Sequence, residues 1–172
     1  MPFREISASE FSANPFELFN SGWPLLMAGD TTDHCNAMTV SWGAAGTFWG
    51  RPSVTAYVRQ SRYTKTLLDA GDTFALVFLP AELKAAHKVF GSKSGRDVDK
   101  TAATGLTPVL IDGVPVYEEA SLVIICRKAL VADLPASTFA DPQATERWYS
   151  GPNDGDLHTM YVGSVEKVLR RA

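Results

Sequence analysis

The chain has 172 residues, 45% hydrophobic and 20% charged, which is typical of one globular domain rather than a disordered segment. We therefore predict a single domain over residues 1–172, large enough to fold without a disulfide or metal scaffold. The formal net charge of −3 provides no overall basic field for nucleic acid or an anionic membrane.

The N-terminus and the two cysteines indicate a cytoplasmic protein. The first residues lack the charged and then apolar architecture of a secretory signal. No apolar run approaches the roughly 20 residues that a membrane-spanning helix needs. Cys35 and Cys126 lie far apart and form no CxxC pair. We expect a cytoplasmic protein with reduced cysteines and without nucleic-acid or membrane partners.

Short apolar or alternating runs, separated by turn residues, predict about seven strands. Residues 53–59 alternate and place Val54, Ala56 and Val58 on one face, as expected of a strand with one face in a core. Residues 73–79 are continuously apolar. The other predicted strands are residues 23–28, 36–42, 108–111, 114–130 and 158–169.

Turn residues punctuate these strands. Asp112-Gly113 predicts a hairpin turn. Gly43 and Gly46 are interpreted as closing the strand at residues 36–42.

Short helices are predicted between the strands, at residues 61–70, 81–90, 99–103 and 141–149. Asp141-Pro142 supplies an N-cap followed by proline in the first turn, and Gly71 and Gly105 are suited to end their helices. Strands and helices do not alternate regularly. The pattern therefore favours a mainly β antiparallel barrel with short helices over a doubly wound sheet.

Several familiar catalytic motifs are absent from the sequence. It contains no GxGxxG, GxxxxGK[ST], HExxH or GxSxG motif. Three isolated histidines and two isolated cysteines lack the spacing of metal ligands. We predict no metal site.

Two segments have the composition of anion-binding sites. Residues 57–64 end a strand and open a helix, so two guanidiniums, two hydroxyls and unpaired N–H groups converge, as a phosphate monoester requires. Residues 91–97 form a glycine-bracketed loop with two cations and two hydroxyls. Either segment alone is better interpreted as an ordinary helix start or a solvated loop, but their joint occurrence favours anion binding.

An ordered series of motifs resembles the flavin reductase-like family, and within it the flavoredoxin-type branch. The series covers about residues 20–165. Its matching stretches are residues 36–43, 57–64, 90–100, 105–108, 117–120, 126–128, 147–149 and 158–163.

The resemblance implies an FMN-binding split β-barrel with Greek-key topology. It also implies a homodimer with one noncovalently bound FMN per subunit between the protomers. A transient nicotinamide nucleotide, NADH or NADPH, docks in this family without a Rossmann domain.

The resemblance further implies roles for particular residues. Residues 36–42 would run beside the isoalloxazine, and Trp148 would lie near the ring. Residues 59–64 would hold the phosphate, with charge added by Lys93 of one subunit or the other. The predicted cofactor-binding residues are Asn36, Ala37, Met38, Thr39, Ser41, Trp42, Arg59, Ser61, Arg62, Thr64, Ser92, Lys93 and Trp148.

His158 is the candidate catalytic residue. It enters the final strand, which the resemblance places close to the flavin. An imidazole with an unperturbed pKa of about 6.5 suits proton exchange at neutral pH. The alternative is a structural histidine bonded to a turn carboxylate such as Asp156.

Several other residues also have a purely structural interpretation. Asn36 also fits a turn residue at a strand entry, Trp42 and Trp148 also fit simple packing, and Cys126 fits a small buried hydrophobe. We expect no redox role for Cys35, although it adjoins the segment assigned to the flavin.

The predicted function is that of an FMN-binding oxidoreductase, either an NAD(P)H-dependent flavin reductase or a flavoredoxin-like protein. The flavin carries the redox chemistry and the protein supplies binding and orientation. The electron acceptor is not identified by the sequence. The rival interpretations are an FMN-binding carrier fed by a protein partner and a non-catalytic split barrel that binds flavin or heme.

Overall fold

The computed structural model describes residues 3–172; residues 1 and 2, where the predicted domain begins, lie outside the described residues. The strands in this part of the chain are β1 Phe3–Ile6, β2 Leu25–Gly29, β3 Cys35–Thr39, β4 Gly43–Phe48, β5 Arg51–Arg59, β6 Thr73–Phe78, β7 Pro108–Ile111, β8 Val114–Tyr117, β9 Leu122–Asp133 and β10 His158–Arg171. The α-helices are α1 Pro15–Asn20, α2 Tyr63–Ala70, α3 His87–Ser92, α4 Lys100–Thr104 and α5 Pro142–Tyr149. Short 3-10 turns cover Ala81–Ala86, Ala136–Thr138 and Gly151–Asn153.

Eight strands form one antiparallel sheet in the order β3-β2-β6-β9-β10-β5-β4, with β1 also paired to β10. β7 and β8 form a separate hairpin. The two outer strands of the sheet, β3 and β4, are consecutive in the chain and are joined by residues 40–42. The sheet is therefore open beside this connection. The prediction of a mainly β antiparallel architecture with short helices is confirmed.

The central strands bury both of their faces. In β6, Phe74 and Leu76 face one apolar cluster, whereas Ala75 and Val77 face a second cluster that the β7–β8 hairpin covers. In β5, only the face that carries the alternating apolar residues enters the first cluster. This difference explains why the sequence of β6 is continuously apolar while that of β5 alternates.

Several predicted boundaries were wrong. β4 begins at Gly43, which we had interpreted as the end of a strand. A Cβ atom on Gly43 would lie 2.3 Å from the Phe19 ring, so this glycine admits the ring of α1 and does not mark a turn. The predicted strand at residues 36–42 ends at Thr39.

Two longer predicted elements are each divided. The strand at residues 114–130 is two strands, β8 and β9, because a turn closed by the Ala120 N–H and the Tyr117 carbonyl separates them. The helix at residues 81–90 is a 3-10 turn followed by α3. β1, β4 and α1 were not predicted.

No helix within residues 3–172 is long and apolar enough to cross a membrane. In the same part of the chain, no group of three or more His, Cys, Asp or Glu side chains is arranged to hold a metal ion.

Candidate functional site

A cleft lies at the open side of the sheet, beside the connection from β3 to β4. Its first part, here called the aromatic hollow, has a volume of about 220 Å³. The hollow is lined by residues 38–42 and by Tyr57, Arg59, Arg62, Trp148 and His158.

Aromatic rings form one wall of the aromatic hollow. The rings of Trp42 and Trp148 meet edge to face, with centroids 5.0 Å apart. The His158 ring lies 4.8 Å from Trp42 at a tilt of 34°. Trp148 stays 40% exposed, so this wall presents apolar surface to whatever enters the hollow.

His158 begins β10 and is buried, and its Nδ1 lies 2.8 Å from the Tyr149 hydroxyl. Burial, together with the nearby Arg59 cation, lowers the pKa of His158 to about 4. The pKa of His158 therefore lies well below the 6.5 of an unperturbed imidazole, and the ring is neutral near pH 7. The alternative partner, Asp156, is instead bonded to Ser61.

Arg59 connects the aromatic wall of the aromatic hollow to the sheet. It pairs with His158 in the β5–β10 ladder. Its Nη1 donates to the carbonyl oxygen of Asp156 at 2.7 Å, and its Nη2 donates to that of Trp148 at 2.9 Å. Its guanidinium also lies over the Tyr149 ring, 5.3 Å from the centroid. Arg59 thus holds both ends of the segment between α5 and β10.

The second part of the cleft, here called the cationic hollow, has a volume of about 190 Å³. It lies between the start of α2 and the loop after α3, and it is lined by residues 61–64, residues 92–95 and Lys100. The residue at the N-cap position of α2, Arg62, makes no side-chain cap. The Lys65 N–H donates to the Arg62 carbonyl at 3.0 Å, and the N–H groups of Tyr63 and Thr64, at the start of the helix, are those available to an anion.

Arg62 lines both hollows. Its Nη1 and Nη2 donate to the carbonyl oxygens of Gly91 and Phe90, both at 2.9 Å, at the end of α3. Burial lowers the pKa of Arg62. The guanidinium is thereby fixed at the junction of the two hollows.

Asn36 and Thr64 support the floor of the cationic hollow. Both are buried, and Asn36 Nδ2 donates to Thr64 Oγ1 at 2.7 Å. Gly95 packs against this pair so closely that a Cβ atom would lie 2.3 Å from Asn36 Oδ1. The loop therefore approaches the strand only because position 95 has no side chain.

Ser61 already binds an anionic group. Its N–H and its hydroxyl donate to the two carboxylate oxygens of Asp156, at 2.9 Å and 2.7 Å. Asp156 therefore takes the donors of Ser61 in this structure, at a residue that was predicted to bind the phosphate.

Lys100 is a site residue that the sequence analysis missed. It is 5% exposed, and its Nζ donates to the carbonyl oxygens of Ala37 at 3.0 Å and Phe90 at 3.4 Å. Burial and the neighbouring Arg62 cation lower its pKa to about 8. No carboxylate pairs with it among the ion pairs of residues 3–172. The sequence Asp99-Lys100 carries no signal beyond a helix start.

The structure distributes the predicted residues over both hollows. Met38, Thr39, Ser41, Trp42, Arg59, Trp148 and His158 line the aromatic hollow; Ser61, Thr64, Ser92 and Lys93 line the cationic hollow; and Arg62 lines both. Ala37 is buried beneath them. Tyr57 and Tyr149 were not predicted as site residues, although they lie in the matching stretches at residues 57–64 and 147–149.

A larger hollow of about 570 Å³ adjoins the cationic hollow and shares Lys100 with it. Its lining includes Asp33, Asp97 and Asp99 as well as Arg96. Its three carboxylates make it less suited to an anionic ligand than the cationic hollow, whose described lining residues include none.

The fold of this chain is similar to that of solved flavin-associated proteins. An FMN-binding domain of a flavin reductase-like enzyme from Shewanella baltica has a TM-score of 0.67 and 16% identity, covering 98% of this chain and 77% of that one. Flavoredoxin of Desulfovibrio vulgaris has a TM-score of 0.65 and 18% identity, over 96% and 75% of the two chains. An NADH:FAD oxidoreductase of Streptomyces globisporus has a TM-score of 0.61 and 22% identity, over 87% and 74%.

These similarities confirm the predicted split-barrel fold. A comparison with curated protein sequences finds no match. The sequence profile described as "Flavin reductase like domain" matches residues 16–172. The predicted resemblance is confirmed, and the chain belongs to the flavin reductase-like family.

Proposed function

We propose that this protein binds FMN noncovalently in the cleft and acts as an NAD(P)H-dependent oxidoreductase. The observation that carries the proposal is that two hollows of different chemistry share Arg62 in their linings. Arg62 joins a hollow walled by aromatic rings to a hollow that contains an uncapped helix start and two lysines, Lys93 and Lys100. A flat ring system that ends in a phosphate monoester matches both ends of this cleft.

The aromatic hollow suits the flavin ring. β3 is an outer strand of the sheet and pairs only with β2, so backbone polar groups on its other side are free of the ladder. Such groups can meet the polar edge of an isoalloxazine. The exposed face of Trp148 and the ring of Trp42 can cover its apolar part.

The cationic hollow suits the phosphate. Arg62 and Lys100 are held there by bonds to carbonyl oxygens, and neither makes an ion pair with a carboxylate within the described residues. A buried cation without a counter-charge is costly, and a phosphate would offset that cost. Thr64 and Ser92 add hydroxyl groups to the same hollow.

FMN, when bound, supplies the redox chemistry by accepting a hydride and passing electrons on. The chain itself binds and orients the cofactor and provides the neutral His158 imidazole in the aromatic hollow. The shared fold with an NADH:FAD oxidoreductase supports a nicotinamide nucleotide as the donor.

The test is reconstitution followed by anaerobic titration. The purified protein should be yellow, release FMN on heating, and turn over free FMN with NADH or NADPH. Release of FAD would show that the site does not select a monophosphate. Bleaching of only its own flavin would indicate an electron carrier. A colourless protein that cannot take up FMN would contradict the proposal.

We also propose that the protein is a cytoplasmic homodimer. The Phe48 and Trp49 rings stack with centroids 4.4 Å apart, and Trp49 is 71% exposed, as expected of a surface that another subunit covers. The two free cysteines support a reducing compartment. Sedimentation of the FMN-loaded protein tests the dimer, and a monomer with full occupancy would contradict it.

A further inference from the structure

Tyr149 and His158 form a pair at the wall of the aromatic hollow. Tyr149 is the last residue of α5 and His158 is the first residue of β10. The Tyr149 hydroxyl lies 2.8 Å from His158 Nδ1, and the two rings meet edge to face. Since Nδ1 is turned towards Tyr149 and the residue lines the hollow, the other edge of the imidazole, with Nε2, faces the hollow.

The charged groups around His158 keep its ring neutral. Arg59 faces it from β5 and disfavours a second positive charge. Asp156, in the preceding turn, acts in the opposite direction, but its carboxylate already accepts two hydrogen bonds from Ser61. Burial adds to the effect of Arg59 and lowers the pKa of His158 to about 4.

A neutral imidazole has one N–H and one acceptor nitrogen, so its partner decides which nitrogen carries the proton. Burial raises the pKa of Tyr149, which therefore keeps its hydroxyl proton. The Arg59 guanidinium over the Tyr149 ring favours donation by the phenol, because a nearby cation stabilises negative charge on the hydroxyl oxygen. Tyr149 thus donates to Nδ1, and the proton of His158 resides on Nε2.

We propose that Tyr149 is a positioning residue that holds His158 as the Nε2–H tautomer, so that the cleft presents an N–H donor to a carbonyl oxygen of its ligand. The identity of that ligand rests on the proposed function. The carbonyl can belong to an isoalloxazine ring or to the carboxamide of a nicotinamide, which offer the same acceptor chemistry.

The tautomer is measured directly by NMR on protein labelled with ¹⁵N at histidine, without any ligand. In the native protein we expect the His158 signals of an acceptor Nδ1 and a protonated Nε2. Tyr149→Phe should shift both nitrogens towards an average of the two tautomers. The phenyl ring retains the stacking on Phe139, whose centroid lies 4.9 Å from that of Tyr149.

Tyr161→Phe is the matched control. It removes a hydroxyl from β10, the strand that contains His158, but that hydroxyl donates to Asp69 rather than to a histidine. The His158 signals should not move in this variant. A protonated Nδ1 in the native protein, or identical signals in the native protein and Tyr149→Phe, would overturn the proposal.

Two additions identify the acceptor. A shift of His158 Nε2 on addition of FMN assigns the flavin carbonyl, whereas a shift only on later addition of NAD⁺ assigns the carboxamide. An Nε2 signal that neither addition moves, with both ligands bound, would overturn the donor role. Flavin fluorescence follows binding in the same samples. A failure to bind FMN would count against the proposed function and leave the tautomer measurement intact.

Discussion

The two hollows of the cleft share Arg62 but are stabilised in different ways. In the aromatic hollow, contacts within the chain hold the wall residues in place. Arg59 donates to two backbone carbonyls, and His158 is bonded to Tyr149. In the cationic hollow, α2 begins without a side-chain cap, and Lys100 is buried without a carboxylate partner in the described chain.

This difference indicates which end depends on a ligand. The aromatic hollow is organised by contacts within the chain, so its shape should persist without cofactor. The cationic hollow carries an unneutralised charge that an anion would stabilise. The cationic hollow should therefore provide the affinity for the phosphate, and the aromatic hollow should set the geometry of the reaction.

The largest effect on binding is expected from the two arginines. Arg62→Ala should weaken FMN binding roughly 10- to 100-fold, the equivalent of about 1.5–3 kcal/mol for a charge-assisted hydrogen bond. Riboflavin, which lacks the phosphate, should be almost unaffected. Arg59→Ala should weaken FMN and riboflavin alike, since Arg59 holds the wall of the aromatic hollow. Fluorescence titrations with FMN and riboflavin measure both affinities. An equal loss of affinity for both flavins in Arg62→Ala would contradict a role of Arg62 in binding the phosphate.

His158 tests the aromatic hollow by rate rather than by affinity. His158→Ala should slow flavin reduction by the nicotinamide about tenfold, the loss of one transition-state hydrogen bond, in protein whose bound FMN has been verified spectroscopically. Because the pKa of His158 is about 4, the native rate should show no inflection near pH 6.5. Stopped-flow measurements of flavin reduction give the rate of the variant and the pH dependence of the native rate. They should cover about pH 5.5 to pH 8, the range in which an ordinary histidine titrates. An unchanged rate in the variant would return His158 to a structural role.

Lys100 tests the cationic hollow through pH. Its pKa lies at about 8 instead of 10.5 because the folded chain disfavours its charge, and a bound phosphate should keep the ammonium protonated. FMN then binds the protonated form, so its affinity should fall about tenfold between roughly pH 7 and pH 9. Lys100→Met should remove this pH dependence. Lys93→Met, a change at an exposed lysine of the same hollow, should retain it, and a flat native profile would contradict the assignment.

The smallest effect is expected at Gly95. Gly95→Ala places a Cβ atom against Asn36 and Tyr63, so the loop must move away from the floor of the cationic hollow. FMN should bind about threefold more weakly, the equivalent of several tenths of a kcal/mol. Gly46→Ala is the matched control, because a Cβ atom there meets nothing within 4 Å. Equal affinities in the two variants would show that the loop does not contribute to binding.

Local signals were read correctly where the neighbouring residues decide the conformation. The Asp112-Gly113 turn joins β7 to β8, with φ of 50° and 79° at the two residues. Asp141 caps α5 by accepting from the N–H groups of Gln143 and Ala144. In each case the interaction lies within a few residues, so the sequence pattern contains it.

Distant contacts account for what was missed. The glycine at position 43 begins β4 and admits the Phe19 ring, and Lys100 is buried because β3 and α3 close over it. The hydrogen bonds of Arg59 go to Trp148 and Asp156, which follow it in the chain by 89 and 97 positions. No window of neighbouring residues contains these partners.

The sequence by itself determined the mainly β class, most strand and helix positions, the family, and the residues that gather around the cleft. Hydrophobic periodicity, helix caps and the order of motifs can all be recognised directly in the amino-acid sequence. Only the tertiary structure decided that Arg59 holds a wall, that Lys100 belongs to the cationic hollow, and that His158 is neutral. Those outcomes depend on burial and on charges brought together by the strand order, because desolvation and Coulomb interactions act through space and not along the chain.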